Sequence, residues 1–298
     1  MRILLFGKRG QVGWELQRSL APLGEIVALD HEGDGTLCGD FTNPAGLATC
    51  VRQVAPDLIV NAAAYTAVDR AESEPQLAAT INAQAPAVLA EEAARLGAWL
   101  VHYSTDYVFD GSGESAWRES DRPNPLSVYG RSKLAGEHAI ATWRNHLILR
   151  TSWVYAARGS NFVRTMLRLA GERERLQIVA DQIGAPTGAE LLADVTAQVV
   201  RSLRDRPELA GLYHLAANGE TSWHGYALHL IEYARQAGRE IRVAPGAIEA
   251  VPTSAYPLPA VRPHNSRLDT RKLRNSFDLK LPAWQIGVER MLDELFAR

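Results

Sequence analysis

Tyr129 and Lys133 stand four residues apart in Tyr129-Gly130-Arg131-Ser132-Lys133. On a helix that spacing puts both side chains on one face, so a phenol can meet a substrate with an ammonium behind it. A free phenol titrates at about pH 10, too high for easy proton exchange at neutrality. A neighbouring lysine charge favours the phenolate and is expected to pull that value down. At about 1.4 kcal/mol per decade, reaching neutrality takes roughly 4 kcal/mol of differential stabilisation. The chain holds nine tyrosines and only four lysines, at 8, 133, 272 and 280, so the pairing is uncommon by chance. Lysine is a compact, tunable cation where arginine is a fixed plane, which suits it to this contact.

Such a pair needs a frame. Ile3-Leu4-Leu5-Phe6, Ile26-Val27-Ala28-Leu29, Asp57-Leu58-Ile59-Val60-Asn61 and Trp99-Leu100-Val101-His102-Tyr103 are short apolar runs of the kind that fill a parallel sheet. The third and fourth runs are read as the fourth and fifth elements of the series, and Leu147–Arg150 and Leu212–Leu215 as later strands. Between them, Val12, Leu16 and Leu20 repeat at i+4, residues 75–97 are Ala-rich, and Leu191, Val195, Val199 and Leu203 form one stripe. Strands alternating with helices give an α/β fold, a Rossmann-type doubly wound parallel sheet. From 156 to 188, and after 218, helices mix with loops, and prolines 252, 257, 259 and 263 mark a long irregular segment. Trp284, Val288, Met291 and Leu295 predict a closing helix. The expected organisation is a nucleotide-binding body, 1–155 with 189–218, and a smaller α/β substrate-binding lobe, 156–188 with 219–298.

Gly7, Gly10 and Gly13 follow the first strand and open a helix. Glycines there permit a tight turn and close backbone approach to a pyrophosphate, which the helix N-terminus attracts; Gln11 and Val12 share the loop. Asp30, ending the second strand, would accept hydrogen bonds from an unmodified ribose and favour NADH. Lys8 and Arg9 would meet a 2′-phosphate and favour NADPH. The two signals oppose each other, so use of both cofactors is expected.

The glycine loop, Ser104-Thr105-Asp106 and the Tyr129–Lys133 pair together resemble the extended short-chain dehydrogenase/reductase superfamily. Longer strings narrow the resemblance: Leu5 to Leu16, Asn61 to Asp69, His102 to Phe109, Arg150 to Tyr155, Asp181 to Thr187 and Arg262 to Leu268 resemble the dTDP-4-dehydrorhamnose reductase family along the whole chain. The resemblance implies reduction of the 4-keto group of dTDP-4-dehydro-β-L-rhamnose to dTDP-L-rhamnose, a donor for cell-surface polysaccharide. Ketone reduction needs a hydride donor, an acid for the oxygen and a group to polarise it. Tyr129 is the expected acid, Thr105 the polarising hydroxyl, and Lys133 the residue that tunes Tyr129 and bonds the nicotinamide ribose. Asp40-Phe41 resembles the superfamily's adenine contact; Ala62, Ala63 and Ala64 leave room for cofactor; Asn82 matches a helix asparagine of the superfamily. Arg262 or Arg267 could bond a diphosphate bidentately. The resemblance puts Trp153 against the sugar, with Thr66, Val68 and Gln182 near the sugar or base. It also implies a homodimer bridged by Mg²⁺ through glutamates matching Glu15, Glu190 and Glu294.

Apolar content of 46% and charged content of 22% are ordinary for a globular protein, and a net charge of −2 argues against a nucleic-acid partner. Cys38 and Cys50 are too few for a disulfide framework. No apolar run reaches the roughly 18 residues of a membrane span. The first strand begins at Arg2, which leaves no room for a targeting segment, so the cytoplasm is the expected compartment. A nucleotide-sugar dehydratase would place a second acid after Asp106, where Tyr107 stands. An epimerase-reductase would want a Cys/His pair near the site. A non-catalytic regulatory subunit would not need Thr105, Tyr129 and Lys133 intact.

Overall fold

The computed structural model describes residues 1–297. Six parallel strands form the central sheet: β1 (Arg2–Phe6), β2 (Glu25–Leu29), β3 (Leu58–Asn61), β4 (Trp99–Thr105), β5 (His146–Thr151) and β6 (Gly211–His214). Their order is β2-β1-β3-β4-β5-β6. The order in which strands are added reverses between β1 and β3, the switch point at which doubly wound sheets open a ligand crevice.

The expected numbering of the strands needs one correction. No strand intervenes between β2 and β3, so Thr105 ends the fourth strand and not the fifth. The reason is local. Gly33 and Gly35 adopt positive φ of 68° and 92°, and Asp34 Oδ1 accepts from the backbone amides of Thr36 and Leu37. These contacts make a turn, and the chain then enters the helix Pro44–Val54, capped by the Asn43 side chain.

Alternate residues of each strand enter different cores. Ile3, Leu5, Leu58, Val60, Val101, Leu147 and Leu149 face one side, against the helices α1 (Gln11–Leu20) and Ala189–Asp205. Leu4, Phe6, Ile59, Leu100 and Ile148 face the other, against Pro44–Val54 and Ala85–Leu96. Burial on both faces explains why these strands read as unbroken apolar runs.

A third core lies outside the sheet. It joins Val163 and Met166, Leu176 and Ile178, Tyr226 and Leu230, and Trp284, Val288 and Met291. Its helices are Phe162–Glu172, Trp223–Gln236 and Trp284–Phe296, with Leu176–Val179 paired in parallel to Ile248–Val251. Residues 271–281 behave differently from the rest of the tail. Leu273, Phe277 and Leu281 pack into the core beneath the sheet, and Tyr213 meets Phe277 edge-on. No helix among the described residues is long and apolar enough to cross a membrane.

Candidate active site

The carboxyl ends of the strands open into a cleft of about 1400 Å³ of empty space, continuous with solvent. Thr105, Tyr129 and Lys133 all line it, with Gly10, Gln11, Val12, Ala62, Ala64, Thr66, Val68 and Trp153. Three residues from two distant stretches of sequence are thus brought together.

Thr105 is the last residue of β4. Its Oγ1 donates to Asp106 Oδ1 at 3.1 Å and accepts from the Tyr107 amide at 3.2 Å, capping a short turn. Tyr129 sits in the first turn of α4 (Val128–Ile140; Pro44–Val54 and Ala85–Leu96 being α2 and α3). The Ser127 hydroxyl caps that helix by accepting from the Gly130 amide at 3.1 Å. Gly130 is required for packing, because a Cβ there would lie 2.2 Å from the Tyr107 carbonyl oxygen. The rings of Tyr129 and Tyr107 meet edge-on at 5.5 Å.

Lys133 lies one turn further along α4, 2% exposed. Its Nζ donates to the Tyr103 carbonyl at 2.6 Å and lies 3.1 Å from His102 Nε2. One more turn on, Glu137 makes a two-pronged contact with Arg150 at 2.9 and 2.6 Å, both residues buried.

This geometry corrects one expectation. Burial pushes the Tyr129 phenol up to about 12, only partly opposed by hydrogen bonding with Thr105 and reinforced by Asp106. Lys133 is not among the groups that shift it; Nζ is engaged by the Tyr103 carbonyl and packs against His102 instead. Lys133 itself falls to about 8, burial outweighing the attraction of Glu137. Desolvation therefore favours the neutral form of both groups.

The glycine loop fits a dinucleotide. Gly7 has φ of 88°, and a Cβ on it would lie 2.8 Å from the backbone of Ala62 and Ala63. A Cβ on Gly13 would lie 2.0 Å from the Gly7 carbonyl oxygen. Strand end, loop and helix are pressed together, and the first amides of α1 have no side-chain cap, which leaves them able to bind an anion. Asn82 ties the next loop to α4: its Oδ1 accepts from the Tyr65 amide, and its Nδ2 donates to the Tyr65 carbonyl and Ser132 Oγ.

The two opposed cofactor signals are joined to each other. Arg9 Nε lies 2.7 Å from Asp30 Oδ2, and Arg9 also reaches Glu32 at 2.9 Å. Asp40 and Phe41 are not on the cleft. Asp40 Oδ1 accepts from the Thr42 amide and hydroxyl, and Phe41 is 4% exposed, edge-on to Phe6 at 5.3 Å.

Trp153 has φ of 49°, uncommon for a bulky residue, and stacks on Trp223 at 3.7 Å. Gln182 stands behind this stack: it accepts from Trp223 Nε1 at 3.1 Å and donates to Thr253 Oγ1 at 3.0 Å. Its amide is used within the protein, so its place is to hold the tryptophans. Arg262 is engaged bidentately by Asp69 at 3.0 and 2.7 Å. Arg267 is held by Glu220 at 2.6 and 3.2 Å and faces a separate cavity with Asn218 and Thr270. Both arginines, either of which the sequence offers to a diphosphate, meet carboxylates of this chain. The cations that do line the cleft are Arg9, Arg158 and Lys133. Arg158 lies 3.5 Å over the Trp14 ring, and neither its type nor its spacing singles it out in the sequence. Asp106, buried and raised to about 6 by burial, also lines the cleft, and its position directly after Thr105 was the available signal.

Glu15, Glu190 and Glu294 approach one another without forming a ligand set. Glu15 is raised by burial first, then by Glu190 and more weakly by Glu294, while Arg18 opposes them. Glu15 pairs with Arg18 and Glu190 with Arg290, each at 3.6 Å. Among the described residues no group of three acids, histidines or cysteines is placed to hold a metal. Hard oxygen donors suit Mg²⁺, but within one chain these carboxylates are partly neutralised by arginines, so a single chain does not fit the ion.

A family model described as the RmlD substrate binding domain matches residues 1–297. A dTDP-4-dehydrorhamnose reductase of Shigella flexneri is 59% identical over 298 residues, 99% of this chain and 98% of that protein. The chain belongs to the dTDP-4-dehydrorhamnose reductase family. Another relative carrying that name, from Burkholderia thailandensis, is 47% identical over the whole of both chains. Among solved structures, the dTDP-4-dehydrorhamnose reductase of Bacillus anthracis in complex with NADP superimposes with a TM-score of 0.87 at 36% identity, covering 98% of this chain and 99% of that one. The family's fold is the one seen here, a Rossmann-type parallel sheet with helices on both faces.

Proposed function

We propose that this protein reduces the 4-keto group of dTDP-4-dehydro-β-L-rhamnose to dTDP-L-rhamnose, using NADPH or NADH. The observation that carries the reading is the convergence of Thr105, Tyr129 and Lys133 on one cleft that also contains the glycine loop. Membership of the reductase family supports the substrate, and the NADP complex of the Bacillus anthracis relative supports the cofactor.

The reduced nicotinamide supplies the hydride. Gly7, Gly10 and Gly13 admit the pyrophosphate against the first amides of α1, with Gln11 and Val12 beside it. Ala62, Ala63 and Ala64 lie where small residues leave space for the dinucleotide. Arg9, released from Asp30, meets a 2′-phosphate; Asp30, released from Arg9, meets a plain ribose. Thr105 donates to the keto oxygen and Tyr129 gives it a proton. A phenol held at about 12 by burial stays protonated at neutral pH, which is the state an acid needs before it acts. Burial here helps the reaction run as a reduction. Lys133 bonds the nicotinamide ribose. Trp153 offers its face to the apolar side of the sugar, and Thr66 and Val68 flank it.

We assign the sheet with its flanking helices to cofactor binding, and the lobe of 156–188 and 219–298, less the segment 271–281, to the sugar nucleotide. The protein acts in the cytoplasm as a homodimer with neither nucleic acid nor membrane as partner. The test is a turnover assay with the dTDP-keto-sugar, run with NADH and with NADPH, each with and without chelator. Loss of reduced-nicotinamide absorbance that depends on the sugar supports the reading. No turnover, together with stoichiometric recovery of a partner enzyme, would replace it with the regulatory-subunit reading.

A further inference from the structure

His102 is fully buried and has no part in the steps above, yet it touches the residue behind the acid. Its two ring nitrogens have defined neighbours. Asn61 Nδ2 lies 3.0 Å from Nδ1, and Lys133 Nζ lies 3.1 Å from Nε2. The Asn61 amide is not free to turn, because its Oδ1 accepts from the Ala63 backbone amide at 3.0 Å. A backbone N–H can only donate, so the oxygen must point at Ala63 and the NH₂ at His102. An amide NH₂ has no lone pair to offer. His102 Nδ1 is therefore the acceptor, and in the neutral ring the proton belongs on Nε2, facing Lys133.

An ammonium at Nζ would oppose that proton with its own hydrogens. A neutral amine accepts the Nε2–H and still donates to the Tyr103 carbonyl at 2.6 Å. We propose that Asn61 and His102 are positioning residues that hold Lys133 toward its neutral amine, through a hydrogen-bond register running from the Ala63 amide to Nζ. Protonating Lys133 requires the ring to move its proton to Nδ1 and Asn61 to turn, which costs the bond to Ala63. The charge of Lys133 is thereby coupled to the backbone of the 61–64 loop, whose Ala62 and Ala64 line the cleft.

The other groups around Lys133 leave this register to decide. On its own helix Tyr129 is neutral, and Glu137 is committed to Arg150 of β5. From the turn at 80–84, Asn82 is uncharged and bonded to Ser132. Burial lowers His102 well below its ordinary value, with the Lys133 charge adding to the effect, so an imidazolium does not arise. Burial of Lys133 acts in the same direction as the register.

The catalytic meaning of this rests on the reductase reading, but its test does not need turnover. In full-length protein labelled in histidine nitrogens and lysine Cε, the expected result is His102 with Nδ1 bare and Nε2 protonated. Lys133 is then expected to titrate below the ordinary lysine value. Asn61→Asp keeps an acceptor for Ala63 but presents an acceptor to His102, so the ring proton moves to Nδ1 and Nε2 accepts from an ammonium. The proton affinity of Lys133 should then rise about tenfold or more, and the alkaline limb of the kcat profile should move with it while KM for the sugar stays within about twofold. In a His102→Leu background the same Asn61→Asp change should move Lys133 by less than about threefold. Equal shifts in both backgrounds would make the effect plain charge attraction and overturn the proposal. So would an Nδ1-protonated ring in the unsubstituted protein, a measurement that needs no variant to fold. Absence of sugar turnover alongside the expected titrations would refute the reductase reading and leave the register standing.

Discussion

Replacing Tyr129 by Phe removes one hydroxyl and leaves the ring. The ring is 8% exposed and meets Tyr107 edge-on at 5.5 Å, a contact that phenylalanine keeps. Deleting a single buried hydroxyl changes stability by about 1 kcal/mol, so the folded protein and its glycine loop should be unaffected. The reaction should not be. A positioned general acid contributes about 10²–10⁴-fold, or roughly 3–5.5 kcal/mol of barrier at 1.36 kcal/mol per decade. The nearest replacement is the Thr105 hydroxyl, which can hydrogen-bond the keto oxygen but, as an alkyl hydroxyl, is a far weaker acid than a phenol and does not transfer its proton. Asp106, raised to about 6, is mostly ionised at neutral pH and is a poor proton donor there. Turnover of the keto-sugar with NADPH should therefore fall at least about 100-fold, while NADPH affinity, read by its fluorescence on binding, changes less than about threefold. Activity within threefold of the parent would refute the role of the phenol. Loss of cofactor affinity along with turnover would show that the hydroxyl is needed to bind the cofactor, and not only to give a proton.

Arg9→Ala leaves Asp30 and Glu32 facing the ribose without their cation; a charge-assisted bond of about 1.5–3 kcal/mol makes the expected rise in KM for NADPH about ten- to a hundredfold, with KM for NADH changed far less, and equal changes would remove Arg9 from the phosphate site. Glu137→Leu strands the buried Arg150 guanidinium and should cost about 3–5 kcal/mol in denaturant unfolding; a change under 1 kcal/mol would show the pair relaxing to solvent. Stability should also fall in mild acid. His214 is lowered to about 3 by burial first and Arg150 second, and His102 is lowered too, so between pH 6.5 and 3 the unfolded chain binds more protons and stability is lost as pH falls. At about 1.4 kcal/mol per decade His214 alone is worth at most roughly 5 kcal/mol. Asp106, raised to about 6, works against this below pH 6 by at most roughly 3 kcal/mol. A melting temperature that rises from pH 6.5 to pH 4.5 would contradict the balance.

The sheet was legible because parallel strands buried on both faces must be continuous apolar runs, and β1, β3 and β4 are such runs. The Gly7–Gly13 loop was legible for a similar reason, since its backbone approaches admit no side chain. The turn at 30–43 was not, because a stretch of that length can hold a strand or a loop, and the positive φ that Gly33 and Gly35 adopt does not show in the sequence. Thr105, Tyr129 and Lys133 reach one cleft as their motif suggested, but burial holds the Tyr129 phenol up at about 12, where the spacing alone predicts a lowered value. Helical spacing shows that two side chains share a face; it does not show where the lysine hydrogens go or how much water remains. The carboxylate partners of Arg262 and Arg267 were not legible either, since Asp69 and Glu220 are 193 and 47 residues away and no local pattern announces them. Arg158 has no sequence signal at all.

Register is what turns these separate features into a site. In the parallel ladder Phe6 stands beside Asn61, and Asn61 beside His102. Side chains along a strand alternate between faces, so neighbours in register point the same way. Asn61 can bond His102, and His102 can reach Lys133, only because Leu58 to Asn61 pair with Trp99 to His102. The apolar alternation enforces that pairing: Val60 and Val101 share one core, and Ile59 and Leu100 the other. A slip of one residue would bring Asn61 beside Val101 or Tyr103, and would send Val60 and Ile59 to the wrong faces at the same time. The hydrophobic pattern that folds the sheet thus also fixes which polar side chain stands behind the lysine. Substitutions in β3 or β4 that weaken the core should therefore disturb the Lys133 titration before they unfold the protein.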